Sequence, residues 1–307
     1  VVSAVAEAVR ADPAAELRPI EDPSRLTEAA AAAAREGFEV VAAAGGDGTV
    51  HSVASGLYRS KTDAALALVP MGTGNDLARH LGIPLEPTAA LALAREAVDA
   101  GRRRSIDLIR CESPQRPGQC LLALNAVVGG LAGRVGDRIE SEHRRRWGRF
   151  AYLRAGLGEL VRYRPVPIRL DVDGRRFEAE ALLVVLAGGR FAGGGIPFAP
   201  SADPFDGRLD VVVVTRTPAW RIPATLLRVL RARHVGADNV LSASGRRVEL
   251  EAGGDFWMNV DGETWVPGSA RFDVEPAALP VLLPAGRNPG NGAPRPGVSS
   301  YEAPRRT

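Results

Sequence analysis

Hydrophobic positions fall into two textures along this chain. In the first third, short apolar runs alternate with Ala-rich stretches of helical pattern. Residues 38–44 and 64–69 are Val/Ala/Leu runs that lead directly into glycine turns, and residues 104–110 form a further run. Helical patterns cover residues 1–11, 24–35, 50–57, 75–81 and 88–100. Asp12-Pro13 breaks the first of these, Asp22-Pro23-Ser24 opens the second and Gly37 closes it, as helix start and stop signals do. Residues 17–20 read as one more short strand. Strand, glycine turn and helix in repetition predict an α/β fold built on a parallel sheet.

The texture changes near residue 108. Residues 168–172, 181–187, 209–214 and 247–251 are short Val/Leu runs separated by Gly, Pro and Asp turns. Only residues 148–162 and 224–233 interrupt with helical pattern. This predicts a mostly-β, sandwich-like second domain. Residues 286–307 are rich in Pro, Gly, Asn and Arg and predict a disordered tail. The expected division is an α/β domain over residues 1–107, a β-rich domain over 108–285 and a tail over 286–307.

Composition narrows the class. Of 307 residues, 45% are hydrophobic and 24% charged, which excludes a wholly disordered chain. No apolar run approaches the ~18 residues of a membrane-spanning helix, and no basic-then-apolar leader opens the chain. Two cysteines, Cys111 and Cys120, make neither a disulfide framework nor a zinc site, so a cytoplasmic setting is expected. The net charge of +3 is too small to argue for nucleic acid. Lys61 is the only lysine, so the placement of the arginines carries the information.

The strongest chemical signal is Gly45-Gly46-Asp47-Gly48-Thr49, between a strand and a helix. Glycines let main-chain N–H groups approach phosphate oxygens, and the helix N-terminus adds its positive end. Asp47 would need a cation between itself and a phosphate, which implies Mg²⁺. The plain alternative is a strand–helix turn whose glycines only satisfy geometry. A second loop, Gly72-Thr73-Gly74-Asn75-Asp76, repeats the arrangement after the next strand. Two such loops at the carboxyl edge of a parallel sheet make a triphosphate-sized site with a metal. Ser60 precedes the sole lysine, so no Walker P-loop exists, and His51 stands where a dinucleotide fingerprint needs its third glycine.

Asp261-Gly262-Glu263 is a second candidate. On an extended segment, residues i and i+2 share a face, so both carboxylates could meet one hydroxyl and a cation. The alternative is an Asp-Gly hairpin turn followed by a surface glutamate.

Taken in order, these motifs resemble the diacylglycerol kinase catalytic family of bacterial lipid kinases, related to the sphingosine kinases. The resemblance rests on residues 45–49 and 70–79 (PMGTGNDLAR), then on residues 125–130 (NAVVGG). It continues through Gly193-Gly194-Gly195, Ala199-Pro200, Ala202 and Asp206-Gly207-Arg208-Leu209-Asp210, and ends with Asn259-Val260-Asp261-Gly262-Glu263. It covers roughly residues 1–285. It implies an ATP- and Mg²⁺-dependent kinase acting on a lipid hydroxyl, with diacylglycerol converted to phosphatidic acid. Gly46, Asp47, Gly48, Thr49, Val50, His51, Ser52 and Thr73 would line the nucleotide. Asp47, Asp76 and Asp107 would form an acidic network around catalytic Mg²⁺. The Asp206 carboxylate, with the backbone carbonyls of Asp203 and Arg208, would hold a structural Mg²⁺. Glu263, with Asp261 beside it, would accept the proton of the lipid hydroxyl.

Three departures from the family pattern stand out. The family opens with a strand carrying an Asn-Pro…Gly loop, and this chain begins after it, so a start upstream of Val1 is expected. Ser52 stands where Glu is common, and Gly188 where Asn is common. An NAD kinase and a catalytically inactive lipid- or nucleotide-binding protein are the alternatives. Two arginine clusters lie at residues 138–149 and 216–233. The second carries five arginines, no acid and several large hydrophobes. It reads either as a basic amphipathic helix resting on the inner face of the membrane, or as a solvated helix packed on its own sheet.

Overall fold

The structure is a computed structural model that describes residues 2–130, 165–253, 256–261, 263–266 and 268–286. The expected helix over 148–162, the arginine cluster at 138–149 and almost all of the expected tail lie outside the described residues. Two compact units are present: Val1–Ile106 together with the segment from Ala277, and Asp107–Pro276.

The first unit is α/β. It runs α1 (Val2–Arg10), α2 (Leu26–Arg35), β1 (Val40–Gly45), α3 (Asp47–Ser60), β2 (Ala65–Pro70), α4 (Asp76–Leu81) and α5 (Pro87–Asp99). β1 and β2 pair in parallel from Val40↔Ala65 to Gly45↔Pro70, so both strands end level. The chain returns late to add a third parallel strand, with Val281 opposite Leu66. β2 is buried at every position, which is why it reads as a continuous apolar run. Alanines let the helices approach closely: α2 buries Ala30, Ala31, Ala33 and Ala34, and a Cβ on Gly56 of α3 would meet the Thr27 carbonyl at 2.2 Å. The Asp22 carboxylate accepts from Ser24 N and caps a 3-10 turn that leads into α2, and Glu86, which the sequence reading did not single out, caps α5 through Thr88 N and Ala89 N. Residues 17–20 do not form a strand. Leu17 and Ile20 are exposed, and apolar pattern alone makes no strand without a neighbour to complete its ladder.

The second unit is antiparallel. β3 (Arg103–Glu112) leads into it and pairs with β4 (Cys120–Ala123). There follow β5 (Ala126–Gly130), β6 (Val166–Val172), β7 (Arg175–Ala187), β8 (Leu209–Thr215), α6 (Ile222–Leu230), β9 (Val240–Gly245), β10 (Arg247–Ala252), β11 (Met258–Val260), β12 (Glu263–Trp265) and β13 (Ser269–Leu282). The long β7 takes β6 and then β5 along one edge and β8 along the other, with a register shift at Ala181/Leu183. Inward side chains of these strands form one apolar core, including Leu170, Leu186, Val248, Met258 and Phe272. Trp265 meets Phe272 edge-to-face at 6.1 Å within it. Among the described residues no helix is long and apolar enough to cross a membrane.

Candidate active site

The two glycine loops leave the level carboxyl ends of β1 and β2 side by side. Met71 N donates to the Gly45 carbonyl at 2.9 Å, continuing the strand pairing into the loops. Beyond that point the backbones touch. A Cβ on Gly72 would lie 2.4 Å from Gly46 Cα, and a Cβ on Gly46 would lie 3.2 Å from Gly72 Cα. These two glycines are therefore set by close approach of one loop to the other. Gly48 differs: a Cβ there would meet no heavy atom within 4 Å. Nothing among the described residues demands a glycine at position 48.

Asp47 fastens the two loops together. Its Oδ2 accepts from Asn75 N at 2.9 Å and its Oδ1 from Asp76 N at 2.8 Å. Both N–H groups belong to the start of α4, where a carboxylate meets the positive end of the helix. The Asp47 charge is thus answered by main-chain donors and does not by itself require a cation. Asn75 sits in the left-handed region (φ 53°), which asparagine tolerates. Its side chain grips Gly72 at both ends, Oδ1 accepting from Gly72 N at 3.1 Å and Nδ2 donating to Gly72 O at 2.8 Å. Arg79 Nε adds a bond to Gly74 O at 2.8 Å.

Asp47, Gly48 and Thr49 lie in the first turn of α3, with Gly46 as the N-cap residue, rather than in a loop preceding it. No side chain caps α3 among the described residues, so its first-turn N–H groups have no side-chain acceptor there and could meet a ligand oxygen. Thr49 covers Gly45, its Oγ1 lying 2.3 Å from where a Cβ would stand. Val50 and His51 are half-buried on α3, and Ser52 Oγ donates back to Gly48 O at 3.0 Å. Thr73 is exposed and Asp76 buried.

Asp107 belongs structurally with the turn at residues 203–208. Its N–H donates to Pro204 O at 2.7 Å, and its Oδ2 accepts from Gly207 N at 2.6 Å. The turn also closes on itself: Asp203 Oδ1 accepts from Phe205 N at 3.1 Å, and Asp206 Oδ1 from Arg208 N at 3.0 Å. The Arg208 side chain leaves it to bond Ser244, through Nε to Oγ at 3.2 Å and Nη2 to the carbonyl at 2.6 Å. Among the described residues, no group of three or more His, Cys, Asp or Glu side chains is placed to hold a metal ion. The turn offers carboxylate and carbonyl oxygens only, a donor chemistry that suits Mg²⁺.

Asp261 overturns the expectation of an extended segment. Val260 pairs with Glu263 across β11 and β12, which leaves two residues to turn the chain, and Asp261 has φ 44°. A left-handed first residue is favoured where two residues connect the strands of a hairpin. A reversed chain does not hold residues i and i+2 on one extended face. Instead the Asp261 carboxylate accepts three main-chain N–H groups, from Leu124 at 2.5 Å, Asn125 at 3.3 Å and Ala126 at 3.1 Å. The Asn125 carbonyl in turn accepts from Gly188 N and Gly189 N, both at 2.9 Å. Asp261 thereby pins residues 124–126 and, through them, the end of β7. Burial, with the Asp261 charge second, pushes the Cys111 thiol well above its ordinary value, so this cysteine is inert. The Glu263 backbone is described and its side chain lies outside the description. The role of residues 124–126 escapes sequence reading, although Asn125 opens a motif that the resemblance had singled out.

The diacylglycerol kinase catalytic domain family matches residues 1–111, and the YegS C-terminal NAD kinase beta sandwich-like domain family matches residues 125–283. A protein of Pseudomonas aeruginosa (strain UCBPP-PA14), named "Probable lipid kinase YegS-like", is 36% identical over 86% of this chain and 82% of its own length. A protein of the same name from Stenotrophomonas maltophilia (strain K279a) is 33% identical over 81% of this chain and 80% of its own. The chain belongs to the diacylglycerol kinase catalytic family. It is a phosphotransferase of the kinase type. The fold agrees with a crystal structure from Bacillus anthracis str. Sterne described as a diacylglycerol kinase. That structure has a TM-score of 0.63 at 21% identity and covers 88% of this chain and 84% of that one. In this kinase the two matched domains correspond to the α/β pattern and the β-rich pattern read from the sequence.

Proposed function

We propose that this kinase transfers the γ-phosphoryl group of ATP to the hydroxyl of a membrane lipid, with diacylglycerol as acceptor and phosphatidic acid as product. The observation that carries the reading is the pair of touching glycine loops, with an open, side-chain-free position at Gly48. Gly45, Gly46, Gly48 and Thr49 with Gly72, Thr73 and Gly74 offer main-chain donors to phosphate oxygens, and Asp47 with Asn75 keeps the two loops in register. The relatives' name supports a lipid acceptor.

Mg²⁺, when bound with the nucleotide, supplies positive charge against the phosphates. In the first unit Asp76 would be the carboxylate for it, and in the second unit the Asp206 carboxylate with the carbonyls of Asp203 and Arg208 would hold a second, structural ion. Phosphoryl transfer is loose, so the protein mostly positions and neutralises. The lipid oxygen forms a bond to the γ-phosphorus as the bond to ADP breaks, and its proton passes to Glu263. Asp261 positions the hairpin that carries Glu263 and does not itself take the proton, because its carboxylate is committed to three main-chain donors. The α/β domain, residues 1–107, handles the nucleotide and the β-rich domain the acceptor. The setting is cytoplasmic.

The test is a phosphorylation assay with ATP and Mg²⁺ against diacylglycerol, a sphingoid base and NAD side by side. Phosphatidic acid as the dominant product supports the reading. Turnover of NAD alone, or none of any acceptor, overturns it.

A further inference from the structure

Residues 216–233 admitted two readings from sequence, a helix on a lipid surface or one packed on its own sheet. The structure separates them. α6 buries only Thr225 and Val229. Trp220 is 75% exposed, Leu227 47% and Leu230 43%. At ~100° per residue, Leu227 lies on the side away from Val229 with Leu230 about 60° round from it, and Trp220 precedes the helix in a 3-10 turn. Ile222 and Leu226 are half-buried beside Val229, so the helix packs one apolar face inward and leaves these three large hydrophobes outside it.

Arginines border the apolar stripe. Arg228 and Arg231 lie together on one side of Leu227, and the Arg221 guanidinium lies over the Trp220 ring, 4.8 Å from its centroid. Arg216 is paired with Glu180 at 3.1 Å. Among the described residues, Arg221, Arg228, Arg231 and Arg233 form no ion pair. No acid occurs between residues 216 and 233, so nothing within the segment itself compensates the charge. Exposed tryptophan and leucine beside arginines that form no ion pair among the described residues match an interface that is apolar below and anionic above.

We infer that α6, with the turn holding Trp220, is an in-plane docking surface for an anionic lipid bilayer. The lipid-kinase reading says only why such docking is useful, since the acceptor would reside in that bilayer. Trp220 and Leu227 enter the headgroup boundary, and Arg228 and Arg231 meet anionic headgroups. Each arginine near such a surface is worth about fivefold in partitioning.

The experiment uses the full chain and vesicles without any acceptor lipid, so that docking and catalysis are read separately. Vesicles of phosphatidylcholine alone and of phosphatidylcholine with phosphatidylglycerol are sedimented with wild type, R228Q/R231Q and W220S/L227S. Wild type should favour the anionic vesicles, with binding weakened by salt. R228Q/R231Q should lose about 25-fold and W220S/L227S at least as much. Both variants should keep the wild-type melting temperature, since all four side chains are exposed, and should keep kinase activity on detergent-dispersed lipid. Equal binding of wild type to both vesicle types overturns the inference. So does variant binding at the wild-type level, or a wild-type dimer in vesicle-free solution that either variant dissociates, which would make the face a contact between copies. Failure of the kinase reading would show instead as absent activity with docking intact.

Discussion

Gly48→Ala and Gly72→Ala probe one site and should move stability in opposite directions. At position 48 an added Cβ finds no atom within 4 Å, and the backbone φ is not left-handed. Alanine in place of glycine within a helix adds roughly 0.5–1 kcal/mol. In the first turn of α3 the lower half of that range applies, an upward shift of about 1–3 °C for a unit of this size. At position 72 the Cβ would stand 2.4 Å from Gly46 Cα, so backbone must yield. Overpacking of that kind costs about 1–3 kcal/mol, and the melting temperature should fall by several degrees. Both changes should weaken nucleotide binding, for different reasons. Gly72→Ala spreads the loops, whereas Gly48→Ala places a methyl where a phosphate must touch the main chain. A loss of at least tenfold in Kd, about 1.4 kcal/mol, is expected for Gly48→Ala. Calorimetric titration with a non-hydrolysable ATP analogue and Mg²⁺, beside a melting curve in the same buffer, measures both. A Gly48→Ala protein that melts higher and binds the analogue as tightly as wild type would refute the phosphate cradle.

Other consequences follow from the second unit. Glu263→Gln should lower kcat by about 10²–10⁴ with analogue binding and melting unchanged, and a rate near wild type would place the base elsewhere. Asp261→Ala leaves three main-chain donors without their acceptor, so it should lower both activity and melting temperature by several degrees. Wild-type melting there would deny Asp261 its positioning role. Asp206→Ala should abolish any Mg²⁺-induced rise in melting temperature, and a retained rise would remove that turn as the ion's site. His234 is buried, and burial lowers its pKa while the Phe198 carbonyl and the Arg228 backbone pull it upward. The folded state thus prefers the neutral ring. Its contribution to stability is complete above about pH 6.5 and is lost as pH falls through the lowered folded value. His234→Gln should flatten the melting-against-pH curve below pH ~6.5, and an unchanged slope would show that other groups set it.

Local signals in the sequence were sufficient for the elements and for the class of chemistry. Val/Ala/Leu runs ending in Gly45-Gly46 and in Gly72 specify strands that stop at glycine turns, because burial and chain reversal act over a few residues. The change to Val-rich runs between Asp and Gly turns likewise specifies the antiparallel unit. Residues 17–20 show the limit: their apolar pattern is real, yet a strand exists only where another strand completes it. Tertiary structure alone decided what the carboxylates do. Asp47 meets Asn75 and Asp76, 28 and 29 residues away, Asp107 meets Gly207 across 100, and Asp261 meets Leu124 across 137. Spacing carries no record of such partners, so only the folded chain shows these carboxylates fastening distant main-chain segments. The same holds for Trp220, Leu227 and Leu230. Their pattern marks apolar positions, but only the packing of Thr225 and Val229 inward determines that these three look out.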